Sequence, residues 1–311
     1  SVRDGSGTVV ENINQIIHLP LTANPPTASS QITYDNVRGK IWNVNPDNDT
    51  VTRSDSASLT KDFEIAVGKE PRSIALRPGG AEIWVASEGA DNITILDADT
   101  GAFIQAIPLG YGVRPMDVVF SPDGAAAYVT EMDAMAAVQI DPATRGILNT
   151  LSLGGPARTL AVSADSSRVF VGRFISPADQ GEIWELDAAA FTLTRTLELI
   201  KDTTSLDTDN SGKGVPNYLS PMAITPDGLR LWAPAKKDNT DRGQFLNGLP
   251  LDFDNTVRSI ITQVDLATNL EVFGDRMDVD NQELPHGVAF SPVGDLAFVA
   301  YQGNNEILVF N

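Results

Sequence analysis

Short runs of apolar, β-branched residues separated by polar turns recur along the chain at a near-fixed spacing. The clearest copy reads Pro71-Arg72-Ser73-Ile74-Ala75-Leu76, a Pro-Gly-Gly turn, Ile83-Trp84-Val85-Ala86, Asn92-Ile93-Thr94-Ile95-Leu96-Asp97 and Phe103-Ile104-Gln105-Ala106-Ile107. The next copy supplies Val118-Val119-Phe120, Tyr128-Val129-Thr130, Val138-Gln139-Ile140-Asp141 and Ile147-Leu148-Asn149-Thr150-Leu151. These runs alternate or are uniformly apolar, which is the signature of strands rather than helices. The first turn of each copy starts at Arg77, Ser121, Ser163, Thr225 and Ser291, so successive starts lie 44, 42, 62 and 66 residues apart. Proline presets φ and glycine accepts a positive one, which suits such turns. Four short strands per unit at this period predict the blades of an all-β propeller.

The count is six four-stranded antiparallel blades, with a seventh if the polypeptide continues. The N-terminal copy is degenerate, and residues 285–311 carry three strands where four are needed. Residues 8–19, with Val9-Val10 and Ile16-Ile17-His18-Leu19, are expected to complete the last sheet and close the ring, since a propeller otherwise exposes two edges. The whole chain, 1–311, is read as one domain. Insertions at 174–181, 201–216 and 236–257 are expected to project from one face. Long structured loops on a rigid scaffold are where binding concentrates.

Composition narrows the partners. With 22 basic and 41 acidic residues the formal charge is −19, which argues against a nucleic-acid backbone as partner. No apolar run reaches the roughly 20 residues of a membrane-spanning helix. There is no cysteine, so disulfides, thiolate metal sites and covalently attached haem are excluded. The opening at Ser1, without an initiator methionine, suggests a processed product or an excised fragment, and export to the periplasm or cell surface is the expectation.

The candidate binding face collects Arg72, Arg114, Arg158 and His286 just before the innermost strands, and Glu88, Glu131, Arg173, Lys236 and Tyr301 just after the second strands. Such a ring of charges suits a small anion or a protein loop, or else a structural ion-pair network around a water-filled channel. Asp207-Thr208-Asp209-Asn210-Ser211-Gly212 has the spacing of a calcium loop, with Asp202, Asp252 or Asp254 as further oxygen donors. With only His18 and His286, a histidine-rich metal centre is out of reach, and no Gly-x-Ser-x-Gly elbow occurs.

Tyr128-Val129-Thr130-Glu131 with Val138-Gln139-Ile140-Asp141 resembles the YVTN-type propeller repeat. So do Ile83-Trp84-Val85-Ala86 with Ile93 to Gly101, and Phe298-Val299-Ala300-Tyr301 with Asn304 to Phe310. The resemblance spans about residues 25–311. It implies a surface or secreted propeller, in some members fused to c-type cytochrome domains. Three functions follow as expectations. The first is a non-catalytic scaffold presenting its insertion-bearing face to a protein or glycan, with calcium and without haem in this chain. The second is the propeller part of an oxidoreductase whose haem lies on another segment or a cytochrome c partner. The third is a lactonase-type hydrolase using carboxylates such as Glu88 and Glu131.

Overall fold

The computed structural model describes residues 24–206, 212–240, 257–279 and 282–311, together with the backbone of strands Val2–Arg3, Val9–Glu11, Phe245–Leu246 and Leu249–Pro250. Six antiparallel sheets follow one another in chain order, with three short 3-10 turns as the described helical structure. The first four sheets each contain four consecutive strands, over 32–66, 71–108, 115–152 and 157–200. The fifth is built on Arg230–Asp238 and Val257–Asp265, flanked by broken inner and outer strands. The sixth has three described strands, Pro285–Phe290, Ala297–Tyr301 and Glu306–Phe310. The fold is a six-bladed β-propeller.

Strand chemistry follows distance from the axis. Second strands such as Glu82–Ser87 and Ala127–Glu131 are buried on both faces, which is why they read as uniformly apolar. Outer strands such as Ile147–Ser152 are largely exposed. Each interior blade sends alternate residues to its two neighbours. Trp84, Ala86, Ile93 and Ile95 of the second blade pack with Val118, Phe120 and Val129 of the third. Its other face, Ile83, Val85 and Leu96, packs with Trp42, Val44 and Val51 of the first. An aromatic residue stands at the site of Trp84 and at the matching site in the second strand of every blade: Trp42, Trp84, Tyr128, Phe170, Trp232 and Phe298. Trp84 meets Phe120 edge-on at 5.0 Å, and Trp232 meets Phe290 at 5.3 Å, each on the inner strand of the following blade.

The expected closing strand is only partly within the described residues. Val9–Glu11 pairs with Val2–Arg3, and residues 12–19 lie outside them. Another N-terminal segment has a role that sequence reasoning missed. Thr27–Ala28 pairs with Val162 and Ala161 of the fourth blade's inner strand. Ser29 N–H donates to Leu160 O (3.0 Å), and the Ser30 carbonyl accepts from Ile74 N–H of the second blade (2.9 Å). Thr27 Oγ1 donates to Phe120 O of the third blade (2.6 Å), and Gln31 reaches His286 of the sixth (3.2 Å). Residues 27–31 therefore run between the inner strands and occupy the axis of the ring, where a water-filled channel was an expectation. The backbone groups of this half-buried segment find partners on several blades.

Candidate functional site

Above the threaded segment lies a cavity of ≈ 470 Å³, lined by Arg72, Glu88, Arg114, Asp117, Arg158 and His286 among others. A second cavity of ≈ 290 Å³ shares Arg158, Phe174 and His286 and adds Tyr218 and Lys236. Local backbone geometry explains why these side chains converge. The ladder between inner and second strands is irregular at its first step in four blades: Pro71/Ser73, Pro115/Val118, Ala157/Thr159 and Pro285/Gly287. Proline has no N–H to give the ladder, and a bulge re-aims the residue that it skips. That residue is Arg72, Arg158 or His286 in three blades, and in the remaining one the step passes over both Met116 and Asp117. Arg114 is not the equivalent of the others; it sits before Pro115 in a left-handed conformation (φ 53) and still reaches the mouth.

The charges fall into two sets. Glu88 is buried and accepts hydrogen bonds from both Arg72 and Arg114. Burial alone would raise its pKa, but the Arg114 and Arg72 hydrogen bonds and charges hold it below the usual carboxylate range. Arg158 and Lys236 have no carboxylate ion pair among the described residues. The Arg158 guanidinium lies 4.5 Å from the Phe174 ring centroid and Lys236 Nζ lies 5.6 Å from that of Tyr218. The two rings meet edge-on at 5.2 Å. Burial lowers the Arg158 pKa while the Asp117 charge opposes that effect. His286 is also depressed, first by burial and then by Arg158, so its imidazole is neutral at neutral pH.

Beneath them, Asp117 is buried and its carboxylate accepts from Ser29 Oγ at 2.6 Å. Desolvation raises its pKa to about 6, against the Ser29 hydrogen bond and the Arg158 charge. Neither Asp117, Ser29 nor Gln31 was singled out from sequence. The first is one polar residue in the apolar strand Pro115–Phe120, and that interruption was the available signal.

The remaining candidates disperse. Glu131 is buried outside the mouth lining, and burial with the nearby Asp91 charge raises it to about 7. Arg173 turns to Glu182 (2.7 Å) and Ile175 O (2.8 Å). Tyr301 is buried between the fifth and sixth blades with Ile261 and Val299. Asp202 caps its own turn through Thr204 and Ser205 and pairs with buried Lys237 at 3.3 Å. Asp207, Asp209, Ser211, Asp252 and Asp254 lie outside the described residues. Described parts of the three insertions touch one another: Ser176 Oγ donates to Pro216 O (2.7 Å) and Thr240 Oγ1 to Ala178 O (3.2 Å).

Residues 81–214 match the family model described as the Cytochrome D1 heme domain. The chain is similar in structure to a solved chain of Kuenenia stuttgartiensis hydrazine synthase, with a TM-score of 0.75 and 18% identity, covering 96% of this chain and 80% of that one. No curated protein matches it. The comparisons support a β-propeller, but the YVTN repeat is not the family that they name. They also correct the expectation of a chain without haem and with calcium, because the matched family is a haem domain. The physical reason is that lacking Cys-x-x-Cys-His rules out only thioether attachment. A haem held by imidazole and cationic side chains needs no cysteine. Of the expected calcium ligands, the described Asp202 is already spent on its turn and Lys237. Among the described residues no helix is long and apolar enough to cross a membrane.

Proposed function

We propose that this chain is the propeller part of a haem-related oxidoreductase and that its mouth holds the haem. The observation that carries this reading is the meeting of one imidazole with two cations that have no ion pair among the described residues, in a chain whose residues 81–214 match a haem domain. The donor set fits the group. His286 offers a nitrogen lone pair, Arg158 and Lys236 suit carboxylate arms, and Phe174 and Tyr218 give an aromatic wall. The larger cavity, ≈ 470 Å³, lies within the range of roughly 300–1,000 Å³ usual for cofactor sites. Haem would supply one-electron transfer.

The chain's own residues bind and orient. Gln31 Nε2 lies 3.2 Å from His286 Nε2 and fixes the ring. That amide N–H donates to the Nε2 lone pair, so the imidazole offers the lone pair to iron only when Gln31 gives it up. Glu88 keeps Arg72 and Arg114 directed at the rim and limits their positive field. The site is cationic within a chain of charge −19, so an anionic group is drawn to this one face. The lactonase alternative gains nothing here, since Glu88 is tied to two arginines and Glu131 lies outside the mouth lining.

Titration of the isolated chain with ferric haem, followed by absorbance, tests the reading. Saturable binding is expected. His286→Ala should change the iron's spectral signature, and Arg158→Gln should weaken binding without changing it. Absence of saturable binding, or indifference to both substitutions, would refute the assignment.

A further inference from the structure

The five interfaces between consecutive blades share one construction, and the sixth blade displays half of it with nothing against it among the described residues. Trp84, which faces the third blade, is fully buried. Its counterpart Phe298 faces away from the fifth blade and is 37% exposed. Ile307 (65%) and Val309 (55%) pair with Ala300 and Phe298 on the same face. The opposite face, with Val299, Tyr301, Leu308 and Phe310, is packed on Trp232 and Ile261 of the fifth blade. Across the gap, Tyr34 occupies the inner-strand place that Phe120 and Phe290 hold, next to the first turn, yet Tyr34 and Ile32 are each 56% exposed. An apolar cleft of ≈ 470 Å³ runs from Phe298 and Ile307 to Ile32, and a hollow of ≈ 300 Å³ lies against Tyr34 and Ile41.

The geometry points to a seat for a seventh four-stranded sheet of the same repeat, wedged between the sixth and first blades. Direct contact of these two blades would place Phe298 on Tyr34, as Trp84 rests on Phe120, but no such ring pair forms among the described residues. The two walls define the occupant's chemistry. Against the sixth blade it must be apolar, matching Phe298, Ile307 and Val309. Against the first it must be apolar only near the axis. Farther out, that wall is a network in which Asn45 Nδ2 donates to Thr50 Oγ1 (2.9 Å) and Thr52 Oγ1 (2.8 Å), and Asn43 Nδ2 to Asn45 Oδ1 (2.9 Å). Exposed apolar surface of this kind on a terminal repeat marks an interaction face rather than a cap.

The natural chain has no cysteine, so single cysteines at exposed sites report directly on cover. Phe298→Cys, Ile307→Cys and Tyr34→Cys should each react with a small thiol reagent nearly as fast as Tyr111→Cys, an open surface control. Light scattering should show a monomer, and the double variant Tyr34→Cys/Phe298→Cys should form no internal disulfide. Extending the chain after Asn311 by a second copy of residues 113–154 should slow labelling at Phe298→Cys and Ile307→Cys by about tenfold or more, leaving Tyr111→Cys unchanged. A ready disulfide would mean that the two blades close on each other, and the proposal would fall. It would fall equally if a dimer, or residues 1–23, protected these sites in the unextended chain, or if a folded extension left labelling unchanged. Should the extension not fold, the disulfide and light-scattering results decide alone.

Discussion

Replacing Asp117 by Asn should make the protein more stable, and only above a defined pH. The carboxyl is fully buried beneath the mouth and moves from its ordinary 3.8 to about 6 because desolvation outweighs the Ser29 hydrogen bond and the Arg158 charge. Below pH 4 it is neutral in both folded and unfolded chains and costs nothing. Between about 4 and 6 the unfolded chain releases the proton first, so rising pH drains stability from the native state. Above about 6 the loss is complete and amounts to about 3 kcal/mol. Asparagine keeps the shape and a hydrogen-bonding partner for Ser29 but never ionises. Urea unfolding of both proteins across this range should give curves that coincide near the acid end and separate by about 1–3 kcal/mol near neutrality, Asn the more stable. A difference that does not grow with pH would refute the reasoning. So would an Asn variant that is weaker at neutral pH, which would mean that the ionised carboxylate holds Arg158 or residues 27–31 in place.

Lys237→Ala should destabilise by about 3–5 kcal/mol in thermal or urea unfolding, because the buried ammonium bridges Asp202 (3.3 Å) and Asp278 (2.7 Å) and its loss leaves both unpaired. Trp84→Ala should cost about 3–5 kcal/mol through the cavity left between the second and third blades, measured the same way. Glu88→Gln should remove the carboxylate that Arg72 and Arg114 share, tightening haem binding at the mouth and steepening its salt dependence, and titration at two ionic strengths reads both. Gly181→Ala should lower stability by about 1–3 kcal/mol, since its Cβ would stand 2.7 Å from the Pro216 carbonyl oxygen and that segment of the 201–216 insertion would have to move.

Strand positions were legible because each repeat carries its own local signals. Pro71–Leu76 and Asn92–Asp97 lie where the periodicity put them, bounded by turns whose chemistry is set within four residues. Charges at the mouth were legible for the same reason, since Arg72, Arg158 and His286 recur at one place in the repeat. Which of them carry an ion pair was not, because that depends on Glu88 lying between two neighbouring blades and on no described carboxylate coming within ion-pair distance of Arg158. Glu131, Arg173 and Tyr301 follow the same repeat spacing, yet the packing of adjacent sheets turns them into buried or loop contacts. The path of residues 27–31 along the axis had no periodic mark at all. Its hydrogen bonds reach partners as many as 255 positions away, and only the assembled ring brings those partners together. Local sequence thus determined the strands and turns, and through their repetition the blades. The tertiary structure alone decided what fills the centre, which cations face it without an ion pair, and which apolar faces stay open, because each depends on contacts between elements far apart in the chain.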